Sequence, residues 1–503
     1  MAEGTAAPRP DEASAIAEPV PVEYLDVLIV GAGISGIDAA YHLQKLCPGK
    51  SYAIFEARER IGGTWDLFRF PGIRSDSDMY TLGFPFRPWR GEKAIVDGAS
   101  IRAYVEETAQ AYGIDRHIRF GHRAVRADWS SAEACWTVEV EAEGALRRLR
   151  CGFLFLCSGY YDYAQGYRPL WVGEADFGGR IVHPQFWPDD LDLAGKKAVV
   201  IGSGATAVTL VPALAEAGAQ VTMLQRSPTY VVSRPSADRI ALWLQKRLPG
   251  RLPDRLVRWK NVLLGIFFFS RARKKPARAR AAILKLAAQD LPPGYDVERD
   301  FGARYDPWDQ RLCLVPDGDL FEAIKAGTVT IVTDEIARFT VDGIRLASGG
   351  ELEADIVVTA TGLVLKMLGG MTLAVDGTSV NVADTYSYKG MMLGDVPNLA
   401  VSFGYTNASW TLKCDLTSRY VCRLLNHMDR HGFASCAPRL PAGKMERQPM
   451  LDFSSSYVRR AEGSLPHQGP EAPWRVHQNY LKDLKVMRFQ RLDDGVMQFR
   501  KAG

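Results

Sequence analysis

The chain has 503 residues, 47% of them hydrophobic and 24% charged. That balance excludes a disordered protein, and the length calls for two or three domains rather than one core. A formal net charge of +4 is small for this size and leaves no footprint for nucleic acid. The eight cysteines include no C-x-x-C pair and no metal-ligand spacing, so no metal site is expected; they read as buried thiols of a reducing compartment.

Residues 1–20 are rich in Ala, Pro and Glu and lack the basic start and apolar stretch of a signal peptide. A disordered lead is expected there. No uninterrupted apolar run is long enough to cross a bilayer; Val262–Phe269, the longest, is short and ends against Arg271-Ala-Arg-Lys-Lys275. A cytoplasmic location is the expectation.

Asp26-Val-Leu-Ile-Val30 reads as a buried parallel strand, and helical spacing begins at Ile37. Between them, Gly31-Ala-Gly33-Ile-Ser-Gly36 fits a dinucleotide turn. Gly31 allows the tight turn, Gly33 lets the backbone approach a pyrophosphate, and Gly36 brings helix and strand together. The helix N-terminus then offers free N–H groups to phosphate. Glu56 ends the next strand, Ser51–Glu56, about twenty residues beyond Gly36. A carboxylate there accepts from ribose hydroxyls and repels a 2′-phosphate, so FAD or NAD fits and NADP does not. Gly62-Gly-Thr-Trp-Asp-Leu-Phe-Arg-Phe-Pro-Gly-Ile-Arg-Ser-Asp76 follows, with glycines for close approach and an aromatic residue beside them. A further strand is expected over Ile118–Ala124.

Phe177, Gly179, His183, Trp187 and Pro188 fit the pattern F-x-G-x-x-x-H-x-x-x-W-P. They precede a second strand and turn, Ala198–Ile201 and Gly202-Ser203-Gly204-Ala205-Thr206-Ala207. The strand Val221–Ser227 now ends in Arg226 and Ser227 rather than an acid. A guanidinium can grip a 2′-phosphate in bidentate fashion and Ser227 adds a hydroxyl, so the second site favours NADPH over NADH. Between Asp238 and Asp300, Leu, Ile and Ala recur at helical spacing among many Arg and Lys residues. This helical insertion, about 238–300, reads as a solvated cap and as a candidate for weak peripheral membrane contact. Ile356–Thr359 and Ala360-Thr361-Gly362 are expected to lead the chain back to the first domain. Asn407 is the expected cap of a helix that starts near Trp410.

The 62–76 stretch resembles the segment that covers the flavin in Baeyer–Villiger monooxygenases and related class B flavoprotein monooxygenases. The 177–188 fingerprint and the Ala360-Thr361-Gly362 linker extend the resemblance from about Tyr24 to Phe499. Cys157–Tyr161, Pro307–Val315 and Gly404–Trp410 carry it further. It implies an α/β fold with two Rossmann-like dinucleotide-binding domains: a discontinuous FAD domain (21–178 and 356–503) and an inserted NADPH domain (179–355). By the same resemblance Ser35, Thr64, Trp65, Asp66, Leu67, Arg74, Ser75 and Asp76 line the FAD, and Ala124 meets the adenine. Arg311 matches the arginine that reaches over the flavin, with Asp76 its partner. Gln310 departs from a lysine often found before that arginine, which leaves Arg226 as the cation for a 2′-phosphate.

A two-dinucleotide flavoprotein that reduces disulfides needs a redox-active cysteine pair near the flavin, and this chain offers no C-x-x-C. Monooxygenation needs no protein nucleophile, because reduced flavin activates oxygen. The implied activity is NADPH- and O2-dependent Baeyer–Villiger oxidation of ketones and S-oxygenation of thioethers or thioamides. Two alternatives stay open: an S- or N-oxidising flavin monooxygenase with little ketone activity, and a catalytically silent flavin-binding sensor. His183 invites a general-base role, but Trp187-Pro188 beside it reads as a rigid hinge, which makes a hydrogen-bonded linker histidine the preferred reading.

Overall fold

The computed structural model describes residues 22–501, so the disordered lead expected over 1–20 lies outside the described residues. The apolar run before the first glycine turn forms β1 (Tyr24–Val30), in which Val27, Leu28 and Ile29 are fully buried. Side chains alternate along a strand, so consecutive buried residues mean that both faces of the sheet are covered. α1 (Ile34–Leu46) follows, and β2 (Tyr52–Phe55) returns parallel to β1 with Val30 opposite Phe55. A single turn of helix, α2 (Thr64–Leu67), comes next.

The strand expected over 118–124 is two strands. β3 (Ile118–Arg119) ends, the chain turns at Gly121 with φ +65°, and β4 (Arg123–Ser130) departs. A residue with a Cβ is strained at that φ, so the glycine breaks the apparent run. β4, β5 (Cys135–Ala142) and β6 (Ala145–Leu156) form an antiparallel meander. The second half of β6 then lies parallel to β1, with Val27 opposite Phe153.

The chain leaves this sheet through β7 (Tyr161–Gly166) and builds a second one from β8 (Arg180–Val182) and β9 (Lys197–Ile201). Next come α3 (Ala205–Glu216), β10 (Gln220–Gln225) and β11 (Val231–Arg234). The insertion is helical as expected: α4 (Arg239–Arg247), α5 (Leu252–Lys274) and α6 (Pro276–Gln289). β12 (Cys313–Pro316) pairs with β11, and β13 (Val329–Thr333) and β14 (Ile356–Thr359) complete the second sheet in the parallel order β13-β10-β9-β14-β8.

β14 corrects an expected boundary. The run 356–359 belongs to the second sheet, between β9 and β8, and not to the returning first domain. All four of its residues are buried, and only a central position covers both faces of Ile-Val-Val-Thr. The return falls at Ala360–Gly362, after which β15 (Leu363–Leu365) pairs antiparallel with β7. The two crossings between the sheets therefore run side by side as a ribbon. β16 (Thr372–Val375), β17 (Thr378–Val380) and β18 (Leu399–Val401) complete a first sheet of nine strands, and α7 (Trp410–His431) packs against α1.

The insertion clasps the first domain. Arg258 of α5 donates to the carbonyls of Tyr80, Thr81 and Gly83 at 3.1, 3.2 and 2.8 Å, and Asn261 donates to Asp78 at 2.8 Å. Val262 packs with Tyr405 and Leu412. No helix among the described residues is long and apolar enough to cross a membrane.

Candidate active site

Both glycine turns sit at the C-terminal ends of parallel strands and face one cavity of about 1130 Å3. That exceeds the ~300–1,000 Å3 of ordinary small-molecule pockets and suits extended ligands. Gly31 has φ +107°, and a Cβ there would stand 2.6 Å from the Cys157 carbonyl oxygen. A Cβ on Gly36 would stand 1.9 Å from the Gly31 oxygen, so strand and helix meet only because both residues are glycine. Gly33 and Gly204 are the N-cap residues of α1 and α3, and neither helix has a side-chain cap. Their first N–H groups are left for a ligand, the arrangement that binds phosphate.

Glu56 lies just past β2 and is buried; its carboxylate accepts from the backbone N–H of Ala32 at 2.8 Å and of Arg58 at 3.0 Å. Burial pushes its pKa up, and these bonds oppose the shift. Ser35 accepts from the Trp410 indole at 2.8 Å, which ties the first turn to the start of α7. Ser35, Thr64, Trp65, Arg74, Ser75, Asp76 and Ala124 all line the cavity.

Asp66 and Leu67 do not, contrary to expectation. Asp66 is 2% exposed and turned toward four arginines: Arg58 at 2.8 Å, Arg69 at 3.2 Å, Arg60 at 3.6 Å and Arg102 at 3.8 Å. The buried carboxylate is thus spent on neutralising that cluster. Leu67 packs into the core of the second domain. Adjacent residues on one helical turn point in different directions, so Thr64 and Trp65 face the cavity while their neighbours face away.

At the second turn Gly202, Ser203, Gly204, Ala205 and Thr206 line the cavity, with Ala207 fully buried behind them. Ser203 donates to the Ser227 carbonyl at 2.8 Å and ties the turn to the end of β10. Arg226 is exposed on the cavity wall and forms no ion pair among the described residues. Its charge is available to an anion.

Arg311 enters from the loop before β12 and pairs in bidentate fashion with Asp76 of the first domain, one N–H···O distance being 2.6 Å. The carboxylate's charge holds the guanidinium still more firmly protonated than usual. The Arg311 side chain is 37% exposed, and since Arg311 lines the cavity, that exposure opens into it. The loop is anchored on two sides: Arg273 of α5 pairs with Asp309, and Ser454 donates its N–H to the Asp309 carbonyl at 2.8 Å. Trp308 takes φ +77°, a strained value for a bulky residue. Arg74 beside this pair is committed to Asp319 across the domain junction.

Three tyrosines surround Arg311 that sequence reasoning had not assigned to the site: Tyr160, Tyr161 and Tyr457. Tyr160 and Tyr161 share a hydroxyl contact of 3.2 Å, and Tyr160 stacks on Trp410 at 5.2 Å. Burial raises the pKa of all three, which keeps them neutral donors. The first two lay within Cys157–Tyr161, a segment already prominent in the sequence; Tyr457, some 150 residues beyond Arg311, carried no signal. Asn407 does not cap α7: Ser409 holds the N-cap position without a side-chain bond, and Asn407 donates to the Gln478 carbonyl instead. The uncapped end of α7 also opens at the cavity, through Ala408 and Trp410.

None of the fingerprint residues lines the cavity. Phe177 packs edge-on to Phe339 at 5.9 Å, and a Cβ on Gly179 would stand 2.4 Å from the Asp355 oxygen. His183 accepts from the Gln185 N–H at 3.2 Å, and its ring fills the space that a Gly166 side chain would take. The imidazole thus wedges between β8 and the crossing ribbon, and burial lowers its pKa. Trp187 packs on the second core, with Pro188 next in the chain.

Residues 84–258 match the family model described as flavin-binding monooxygenase-like, and residues 29–90 match an NAD(P)-binding Rossmann-like domain. The chain is 58% identical over 480 residues to the FAD-containing monooxygenase EthA of Mycobacterium tuberculosis, covering 95% of this chain and 98% of the relative. It is 54% identical to EthA of Mycolicibacterium smegmatis over the same shares. Among solved structures it is similar to an oxidised steroid monooxygenase bound to NADP, with TM-score 0.73 and 20% identity over 95% and 100% of the two chains. An open form of cyclohexanone monooxygenase gives TM-score 0.72 and 18% identity over the same shares. At that identity the likeness is one of fold.

Proposed function

The chain belongs to the flavin-binding monooxygenase family, and from that premise we propose that it uses FAD, NADPH and O2 to carry out Baeyer–Villiger oxidation of ketones and S-oxygenation of sulfur compounds. The first site fits FAD: its glycines are crowded by backbone, its helix N-terminus is uncapped, and Glu56 stands where a ribose would offer hydroxyls. The second fits NADPH, with the exposed Arg226 on the wall where a 2′-phosphate would lie. FAD held at the first site would, with NADPH as reductant, supply the activation of O2 for transfer of one oxygen atom to the substrate, the other leaving as water.

The observation that carries the reading is the Arg311–Asp76 pair, which joins the two domains on the wall of the shared cavity. Arg311 supplies a fixed positive charge where negative charge develops on oxygen, and Asp76 sets its direction. Tyr160, Tyr161 and Tyr457 supply neutral O–H donors beside it. The uncapped α7 terminus adds a second source of positive potential.

The test is aerobic incubation of the flavin-loaded protein and NADPH with cyclic, aryl and long-chain ketones and with thioethers, read by mass spectrometry. Esters or lactones are expected together with sulfoxides. Sulfoxides alone would move the protein to the S- and N-oxidising branch of the family, and a substrate bearing both groups makes that choice in one experiment. Failure of NADPH to bleach the flavin without oxygen would point instead to a silent sensor.

A further inference from the structure

The outward face of α5 takes no part in the site described above. Leu256, Trp259, Leu263 and Phe267 recur at three- and four-residue spacing along it and are 43%, 41%, 49% and 56% exposed. α4 packs beside α5 and adds Ile240 and Trp243, both 56% exposed. The inward face of α5 is already occupied by Arg258, Asn261 and Val262 on the first domain, so the stripe is not an unfilled part of the core. A contiguous apolar face of this extent on a folded protein marks a contact surface.

Charge identifies the occupant. Residues 239–289 carry fourteen basic side chains and one acidic one, in a chain whose net charge is +4. The lone acid, Asp254, is buried and paired with Arg90. Arg251 and Arg255 stand at one end of the stripe, and Arg271, Lys274 and Lys275 at the other, all exposed. A Trp- and Leu-rich stripe framed by Arg and Lys is suited to the interface of an anionic bilayer, where the apolar face enters the headgroup boundary and the cations meet phosphate. A second copy docking through the same face would set two positive frames against each other.

We propose that α4 and α5 seat the protein on an anionic lipid surface. Val262, on the inner side of α5, packs on Tyr405, which lines the cavity. Only one helix diameter, ~10 Å, therefore separates the docked stripe from the active-site wall. The C-terminal end of α5 also touches the catalytic loop: Phe269 meets Trp308 edge-on at 5.5 Å, and Arg273 pairs with Asp309. An apolar substrate dissolved in the bilayer thus starts beside the site that would oxidise it.

The experiment is co-sedimentation of the full flavin-loaded chain with phosphatidylcholine vesicles, with and without phosphatidylglycerol, at low and high salt. Neither NADPH nor substrate is present, so the outcome is independent of the reaction assigned above. Binding is expected only to the anionic vesicles and should weaken about tenfold or more at high salt. Arg271→Gln/Lys274→Gln/Lys275→Gln should lower partitioning about 100-fold, given a factor of about five for each cation. Leu263→Glu/Phe267→Glu should lower it at least about tenfold, with flavin content and NADPH consumption in lipid-free buffer unchanged as proof of folding. Absence of wild-type binding, or equal binding by either variant, would overturn the proposal. So would a dimer that Leu263→Glu/Phe267→Glu converts to monomer with no vesicle binding, because the face would then belong to a second copy.

Discussion

At the first glycine turn, neighbouring backbone crowds two of the glycines, Gly31 against Cys157 and Gly36 against Gly31, and a Cβ on Gly33 would stand in contact, 3.6 Å, with the Cα of Gly63 in the covering loop. At the second turn Gly202 is crowded in the same way by Ala360, yet a Cβ on Gly204 would meet nothing within 4 Å among the described residues, and the third position is Ala207. The strand ends differ in parallel: Glu56 is buried and hydrogen-bonded, whereas Arg226 is exposed and unpaired among the described residues. One supersecondary unit thus serves two purposes. A turn with a roof and an acid encloses its ligand, and a turn without a roof and with a cation accepts and releases an anionic one. That contrast suits a resident FAD and an exchanging NADPH.

Arg311 and Asp76 join the two halves, so the largest expected effect lies there. Arg311→Ala should fold and hold flavin while product formation falls about 10²–10³-fold, the usual cost of removing one preorganised stabiliser. Arg311→Lys should rescue poorly, because a point charge on a flexible stem cannot reproduce the planar fork, and Asp76→Ala should be milder. Peroxide release and product yield per NADPH provide the readout. Wild-type product rates with tight coupling in Arg311→Ala would remove the arginine from catalysis.

The cation at the second site gives the next effect. Arg226→Ala should raise the NADPH KM about 10- to 100-fold, the value of ~1.5–3 kcal/mol for hydrogen bonds to a charged group, and leave the NADH KM unchanged. Equal changes with both nucleotides would mean that Arg226 does not read the 2′-phosphate. The glycines sharpen the contrast further. Gly31→Ala, at φ +107° and 2.6 Å from a carbonyl oxygen, should lose ~1–3 kcal/mol and shed flavin, seen in the flavin-to-protein absorbance ratio. Gly204→Ala should alter stability by less than ~0.5 kcal/mol yet weaken NADPH binding, because the added methyl would project into open cavity space.

The smallest effect concerns His183. The His183 pKa is held below its ordinary 6.5 by burial, so the unfolded chain binds the proton more readily. The contribution is therefore fully present above pH 6.5 and is lost as the pH falls through the lower folded value. The melting temperature should drop on that side for the wild type and less for His183→Gln. Identical pH profiles would remove the wedge role.

Much of this was legible in the chain because it rests on local rules. Strand, glycine turn and helix follow one another over about thirty residues, and the Glu56–Arg226 contrast is a matter of which residue ends a strand. Other features escaped for physical reasons. The apparent strand over 118–124 breaks at a glycine whose positive φ the pattern does not announce, and β14 was placed in the wrong sheet because a buried apolar run does not name its partner. Asp66 and Leu67 were expected at the cavity with their neighbours, but the orientation of a one-turn helix separated them.

By itself the sequence determined two nucleotide turns, the sign of the charge beside each, and the absence of a C-x-x-C motif, since each depends on residues close in the chain. Only the tertiary structure brought Arg311 to Asp76, gathered Tyr160, Tyr161 and Tyr457 around them, and turned α5 so that one face clasps the first domain and the other is bare. Those arrangements join residues as far apart as 76, 311 and 457. Their positions follow from how two sheets and an inserted helix pack, which local spacing does not specify.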